Sequence, residues 1–407
     1  MNDHELSAWA EKELTENILP FWKKYGRDIK TGGFYGSLDN DSIGDALASR
    51  SVVMTSRHLW AYSAASRLLN DPSWLEMADY AYSAIMKDFV DPQYGGVYWS
   101  VKSDGTPDVS KKQIYGEAFA MYALSEYACA RNNSASLETA FSIYNLLEKR
   151  ARDAVSGGYT EALSRAWTTT GDLKLSDKDI DCDKSMNTNL HVMEALTCFH
   201  RALKIMKPKA HEILARVEES ISSLVSITVD RILGSDNHLD LYFNRDWTVI
   251  GDIISYGHDI EASWLLWEAA EETGDHVLCA KIRPAVIRIA EIALAEGFDP
   301  ATGALNNELH DGHKDCTRIW WCQAEALVGF YNAFQMTGDS KFQNAAFGLS
   351  LWIEKYQKDH VHGDWFWAVS PEGKSDPGEV KGGNWKTSYH NARSCMEIIT
   401  RISIRGE

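Results

Sequence analysis

A glycine-marked segment recurs six times along this chain, and that periodicity limits the fold more than any other feature. "TGGFYGSLD" from Thr31, "YGGVYWSVKSDG" from Tyr94 and "SGGYTEAL" from Ser156 are the strong copies. "DNHLDLYFN" from Asp236, "DPATGALNNE" from Asp299 and "HGDWFWAVS" from His362 are weaker ones. With positions 32, 95, 157, 238, 303 and 363 as markers, the gaps are 63, 62, 81, 65 and 60 residues. Units of such even length point to one supersecondary element repeated, each burying its apolar face against its neighbours.

The text between markers is helical. "SWLEMADYAYSAIMKDFV" (73–90) and "SLETAFSIYNLLEKRARDAV" (136–155) carry apolar residues three and four apart, the pattern of a helix with one buried face. The glycine markers are expected just past the ends of these helices, where glycine favours the left-handed turn. A second, more apolar helix follows each marker. These begin "TSRHLWAYSAASRLL", "YGEAFAMYALSEYA", "MNTNLHVMEALTCFHRAL", "GHDIEASWLLWEAA", "RIWWCQAEALVGFYNAF" and "YHNARSCMEIITRI". Helices apolar nearly all round are buried ones. Six outer and six inner helices predict an all-α (α/α)6 barrel, a toroid with short β-hairpins in its connecting loops, in one domain over residues 1–407. If the inner helices run the same way, their six N-termini meet at one mouth.

Charge and cysteine usage narrow the partners. A net charge of −17 without any basic block speaks against nucleic acid and anionic membrane surfaces. No apolar run approaches the length of a membrane span. The opening "MNDHELSAWAEKELTENILPFW" reads as an amphipathic helix with Leu6, Trp9, Leu14 and Ile18 on one side, not as a secretory signal. Seven cysteines are scattered without a Cys-x-x-Cys, which fits reduced thiols. The expectation is a cytoplasmic monomer or homodimer acting on a small molecule. The 15 tryptophans and 17 tyrosines suggest which kind, since flat sugar faces stack on indole rings, although core packing accounts for about half of them.

The repeat places Arg57, Tyr115, His191, His258, Trp321 and His390 at the inner N-termini. A lone buried histidine is most often a hydrogen-bonded core residue. Three at one level of a repeat call for another account, and three chemistries fit. His191 with Glu194 and His258 with Glu261 are His-x-x-Glu pairs of possible metal ligands. Arg57 and Arg393, the latter pairing with His390 in "HNAR", make that mouth cationic and unfavourable for a divalent ion. A glycoside hydrolase would use two carboxylates, with Glu261 and Glu325 as candidates and Asp259 behind them, but has no need of three histidines. Proton abstraction beside a carbonyl does use neutral imidazole, which titrates near ordinary pH, together with a donor such as Arg57 for the oxyanion. One base moving the proton from C2 to C1 makes a ketose; two bases on opposite faces of an enediolate invert C2.

"MNTNLHVMEALT", "SYGHDIEASWLL", "RIWWCQAEAL" and "WKTSYHNARSCMEI" resemble the signature blocks of the cellobiose 2-epimerases, within the N-acylglucosamine 2-epimerase superfamily. "TSRHLWAYS" and "YGEAFAMYALSEY" fit the remaining blocks, so the resemblance runs nearly the whole chain in order. It implies an (α/α)6 barrel, no metal or other cofactor, and interconversion of a β-1,4-linked reducing-end glucose with mannose. It places the acid/base pair on His258 and His390 and the third active-site histidine on His191. Arg57, Tyr115, Asn187 and Glu261 become sugar-binding residues, with Trp321 and Trp385 as aromatic walls. Glu325, four residues after Trp321 and on its face, joins them. Free mannose or glucose, and aldose–ketose isomerisation, are the neighbouring activities. Asn189 stands where family members usually carry a histidine, and "SVVMTSRHLW" departs from the usual approach to the arginine, so a reshaped pocket is expected there.

Overall fold

The computed structural model describes residues 1–176 and 179–406. Outer and inner helices alternate along the chain. The outer ones are α1 (Asp3–Lys12) continued by α2 (Leu19–Tyr25), α4 (Leu75–Ala84), α6 (Ser134–Leu146), α8 (His211–Ile227), α10 (His276–Ile292) and α12 (Ser340–Trp352). The inner ones are α3 (Val52–Leu69), α5 (Ile114–Arg131), α7 (Met186–Met206), α9 (Tyr256–Thr273), α11 (Trp320–Thr337) and α13 (Tyr389–Gly406). Each inner helix packs on the next, α13 returns to α3, and α1 lies on α13, so the ring closes. Burial follows the apolar pattern. On α8 only a stripe is buried (Val217, Ser220, Ile221, Leu224, Val225), whereas the first turns of α5 and α11 are buried on nearly every side. Among the described residues no helix is long and apolar enough to cross a membrane.

The outer helices end differently from the sequence expectation. Their last turns widen into π turns, such as Ile85–Phe89 and Leu147–Ala151, and the glycines do not cap them. Val90 and Arg152 instead leave the helix in extended conformation and pair with Val97 and Tyr159. Gly95, Gly96, Gly157 and Gly158 lie at the tips of these hairpins with φ between 68° and 75°, where a side chain would be strained.

An aspartate holds five of the six tips. Asp28, Asp91, Asp153, Asp299 and Asp359 accept backbone N–H groups two residues on, from Lys30, Gln93, Val155, Ala301 and Val361. Each also meets a basic residue lying just ahead of the next inner helix or its lead-in loop. Arg50–Asp28 measures 2.7 Å, Lys112–Asp91 3.1 Å, Lys184–Asp153 3.1 Å and Arg318–Asp299 2.8 Å, and Lys381 pairs with Asp359. The fourth unit departs, with Gly234 at that place and His238 bonded to Asp259 at 2.7 Å.

Short strands then tie each unit to the next. Arg50 pairs with Val101, Gln113 with Ala162, Lys184 with Phe243, Ser255 with Glu308 and Ile319 with Ala368; Ser37 with Gly383 completes the circuit. Below this belt, the fourth residue of four inner helices accepts a hairpin N–H. Glu117 takes that of Val97, Asn189 that of Tyr159, Asp259 that of Leu239 and Gln323 that of Leu305, at 2.8–2.9 Å. Asn189 therefore turns outward into the scaffold, which an amide serves well, and the pocket reshaping expected from it does not follow. Asp259 bonds His238, while the neighbouring His258 bonds Ser255.

Candidate active site

All six inner helices start at the strand belt, so their first two turns line one mouth. His258, Trp321 and His390 stand in the first turns of α9, α11 and α13, and Tyr115 in that of α5; Arg57 and His191 sit a turn deeper on α3 and α7. The sequence candidates meet there. The His258 ring lies 4.7 Å from the Trp321 ring, which lies 6.0 Å from that of His390. Tyr115 meets His191 edge-on at 5.0 Å. Its hydroxyl accepts from Arg57 Nη2 at 2.9 Å, while Nη1 of Arg57 donates to the Trp385 carbonyl at 2.5 Å. The Arg57 guanidinium covers the Phe119 ring at 4.7 Å. Asn187 and His258 line one cavity, with Tyr242 and Met186; Trp385 and Trp99 line the adjoining groove, and Leu175 borders both. Arg57 Nε and Asn187 Oδ1 are buried with no protein partner among the described residues, polar atoms left for a ligand.

Beneath the histidines lies a charged layer. Nη2 of Arg393 donates to Glu261 at 2.6 Å and to Glu325 at 2.7 Å, and Nη1 pairs with Glu194. His390 Nδ1 is 2.6 Å from Glu325, and His191 Nδ1 is 2.7 Å from Glu194. An ionised carboxylate only accepts, so against one each Nδ1 carries the proton and leaves Nε2 with a free lone pair, the form a base needs. His258 Nδ1 bonds the Ser255 hydroxyl at 2.8 Å. Tyr389 donates to Glu194 at 2.6 Å, and Trp264 Nε1 to Glu325 at 3.2 Å.

The electrostatics differ from the sequence expectation of imidazoles titrating in their ordinary range. Burial pushes His258 down to about 3, with His191 adding to the effect. Burial, then Arg57 and Arg393, holds His390 well below the usual histidine value. His191 is lowered by burial against the opposing pull of Glu194. All three are neutral at ordinary pH. Burial alone would raise Glu194, but Arg393, His191 and Tyr389 outweigh it and hold the carboxyl at about 2. Burial and Glu325 push Glu261 up to about 8.

Arg393 was read from the sequence only as a further positive charge beside His390; the structure gives it to three glutamates instead. Glu194, also open to a purely structural reading, joins that cluster, and Tyr389, Phe119 and Trp264 were missed. The available signal was three acids, each three or four residues after a mouth residue on an otherwise apolar helix, which require a buried cation. The same cluster answers the metal question. Ligand atoms of Glu261, Glu325 and His390 lie within 4.8 Å of one another, close enough for an ion. The Arg393 guanidinium already bonds both carboxylates, and a cation beside it is strongly repelled. It also speaks against a hydrolase, since two carboxyls clasping one guanidinium leave no room for a glycosidic bond between them.

Aromatic walls above neutral bases define a class, a carbohydrate-converting enzyme that moves protons. The sequence model of the N-acylglucosamine 2-epimerase (GlcNAc 2-epimerase) family matches residues 33–394. The chain belongs to this family and is a carbohydrate epimerase, an isomerase. It is 39% identical to the cellobiose 2-epimerase of Bacteroides fragilis over 98% of this chain and 99% of that one. The solved cellobiose 2-epimerase of Spirochaeta thermophila, 39% identical, matches with a TM-score of 0.90 over 100% of this chain and 98% of the other. A solved D-mannose isomerase, 21% identical, shares the fold at a TM-score of 0.81 over 98% of each chain.

Proposed function

We propose that this enzyme inverts C2 of the reducing-end glucose or mannose of a β-1,4-linked disaccharide, with His258 and His390 as paired bases. The observation that carries the reading is the placement of two neutral imidazoles, half-buried His258 and buried His390, around one indole, Trp321. Once the ring has opened, the aldehyde acidifies the C2 hydrogen. One imidazole takes that proton on Nε2 and Arg57 holds the developing oxyanion. The other, protonated from solvent once the anion has formed, delivers that proton to the opposite face, and the first returns its own to solvent. His191, held by Glu194, polarises the carbonyl or assists ring opening. Asn187, Tyr115 and Glu261 position the sugar. The Trp99–Trp385 groove is wide enough in character, aromatic with a polar rim, for the second sugar ring. Relatives named cellobiose 2-epimerase at 39% and 38% identity support the disaccharide over a free monosaccharide. No cofactor takes part, and the single barrel is the whole catalytic unit.

Incubation with cellobiose and separately with mannose, in D2O, tests this. The expected product of cellobiose is its C2 epimer with deuterium at C2. A ketose would replace the two-base scheme by aldose–ketose isomerisation, and turnover of mannose alone would move the substrate to the monosaccharide. Free glucose from cellobiose would revive the hydrolase.

A further inference from the structure

We infer that Glu261 and Glu325 hold one proton between them at neutral pH, and that it resides on Glu261, which therefore works as a hydrogen-bond donor. The inference deepens the epimerase reading above and rests on it for its kinetic consequence. The argument is a count of charges and donors. Three carboxylates (Glu194, Glu261, Glu325) surround one guanidinium, Arg393, and all four residues are at most 6% exposed. Arg57 is the other cation at the mouth, and the three imidazoles are neutral. Arg201, which lines a cavity with Glu194 and Arg393, is already paired with Glu268 and Glu272, and Glu397 is paired with Arg401. One negative charge lacks a partner in a dry site, and two carboxyls sharing such a site do not both ionise.

The donors decide which one takes the proton. Glu194 receives Arg393, Tyr389 and His191, and Glu325 receives Arg393, His390 and Trp264. Among the described residues Glu261 receives Arg393 alone. The remaining groups facing it are of no help to an anion. Glu325 and Cys322 come from α11, Glu194 from α7, Tyr115 from α5 and Tyr389 from α13. Burial raises both carboxyls; on Glu261 the charge of Glu325 comes next and adds to it, whereas on Glu325 the charge and hydrogen bond of Arg393 come next and oppose it. A neutral Glu261 offers O–H to a sugar oxygen, whereas an ionised one would repel the enediolate forming beside it.

Two measurements test it on the intact enzyme. In infrared spectra at neutral pH without sugar, subtracting Glu261→Gln from wild type leaves one protonated carboxyl. Glu117 and Glu161, which burial also raises, cancel in the difference. That carboxyl titrates away near pH 8. Glu325→Gln removes the competing charge, so the carboxyl band should vanish there too. In kinetics, the alkaline fall of kcat/KM centred near pH 8 disappears in Glu261→Gln, while neutral-pH activity drops several-fold. An amide mimics the neutral acid, so Glu261→Gln should fold; misfolding overturns the assignment. So does a difference spectrum without a carboxyl, a band that survives Glu325→Gln, or an alkaline limb kept by Glu261→Gln. A wild type that exchanges no C2 hydrogen strikes the epimerase mechanism instead, because the infrared titration needs no substrate.

Discussion

Buried ion pairs occur in two regions of this molecule, and they are built on opposite principles. Around the rim, each hairpin aspartate meets a basic residue and also satisfies backbone N–H groups, so Asp91 and Asp153 are held well below the ordinary carboxylate range despite their burial. At the bottom of the mouth three glutamates share Arg393, and Glu261 is driven the other way. The rim pattern recurs in five of six units; the central one occurs once. Balanced, repeated charges shape a scaffold, while the unbalanced charge of three glutamates from three different units lies at the proposed site. Paired carboxylates alone are thus a poor guide to function. Their stoichiometry is the better one.

That contrast can be broken at either end. The largest effect is expected at the centre: His258→Asn should cut epimerisation by about 10² to 10⁴ while leaving the melting temperature nearly unchanged. Each single histidine variant should still wash deuterium into one epimer only, and His258→Asn and His390→Asn should favour opposite epimers. Exchange into the same epimer by both would end the two-base assignment. At the rim the result should reverse. Arg50→Met strands buried Asp28 and should cost about 3–5 kcal/mol of stability, read from denaturant unfolding, with kcat per folded molecule retained. Equal losses of activity and stability in both variants would erase the distinction.

Smaller effects sharpen it. His58 and His258 are both lowered to about 3 by burial. Their unfolded forms take up protons below the ordinary histidine value of about 6.5 and their folded forms do not. Stability should therefore decline as pH falls from about 6.5 toward 3, by up to about 1.4 kcal/mol per pH unit for each such group. A flat unfolding profile over that window would show that these imidazoles are not buried neutral. The smallest effect is expected from chelation. Exhaustive EDTA treatment should leave kcat unchanged, because Arg393 stands where an ion would sit; loss restored by one metal would overturn that.

Much of this was legible in the sequence. The repeat predicted the ring and, on the condition that the inner helices run the same way, the meeting of His191, His258 and His390 with Arg57, Tyr115 and Trp321. Two things were not. The glycine markers look like helix caps because glycine serves both caps and hairpin tips, and periodicity does not distinguish a π turn from an α turn. The role of Arg393 was hidden for another reason. Its partners Glu194, Glu261 and Glu325 lie between 68 and 199 residues away, and no local pattern reports a contact across the bore.

The strand belt has a consequence for how the molecule comes into being. Its last link joins Ser37 to Gly383, and α1, made first, rests on α13, made last. Five links connect successive units and can form as those units leave the ribosome. The sixth waits for Gly383, on the order of tens of seconds after the first helix at usual rates of synthesis. Until then the nascent protein is an open arc with the seat of α1 missing and an apolar flank exposed at each end. His390, Trp385 and Arg393 arrive with the closing segment, so on the proposed mechanism the paired histidines meet in the same event that shuts the ring, and a product truncated before α13 would lack one of them.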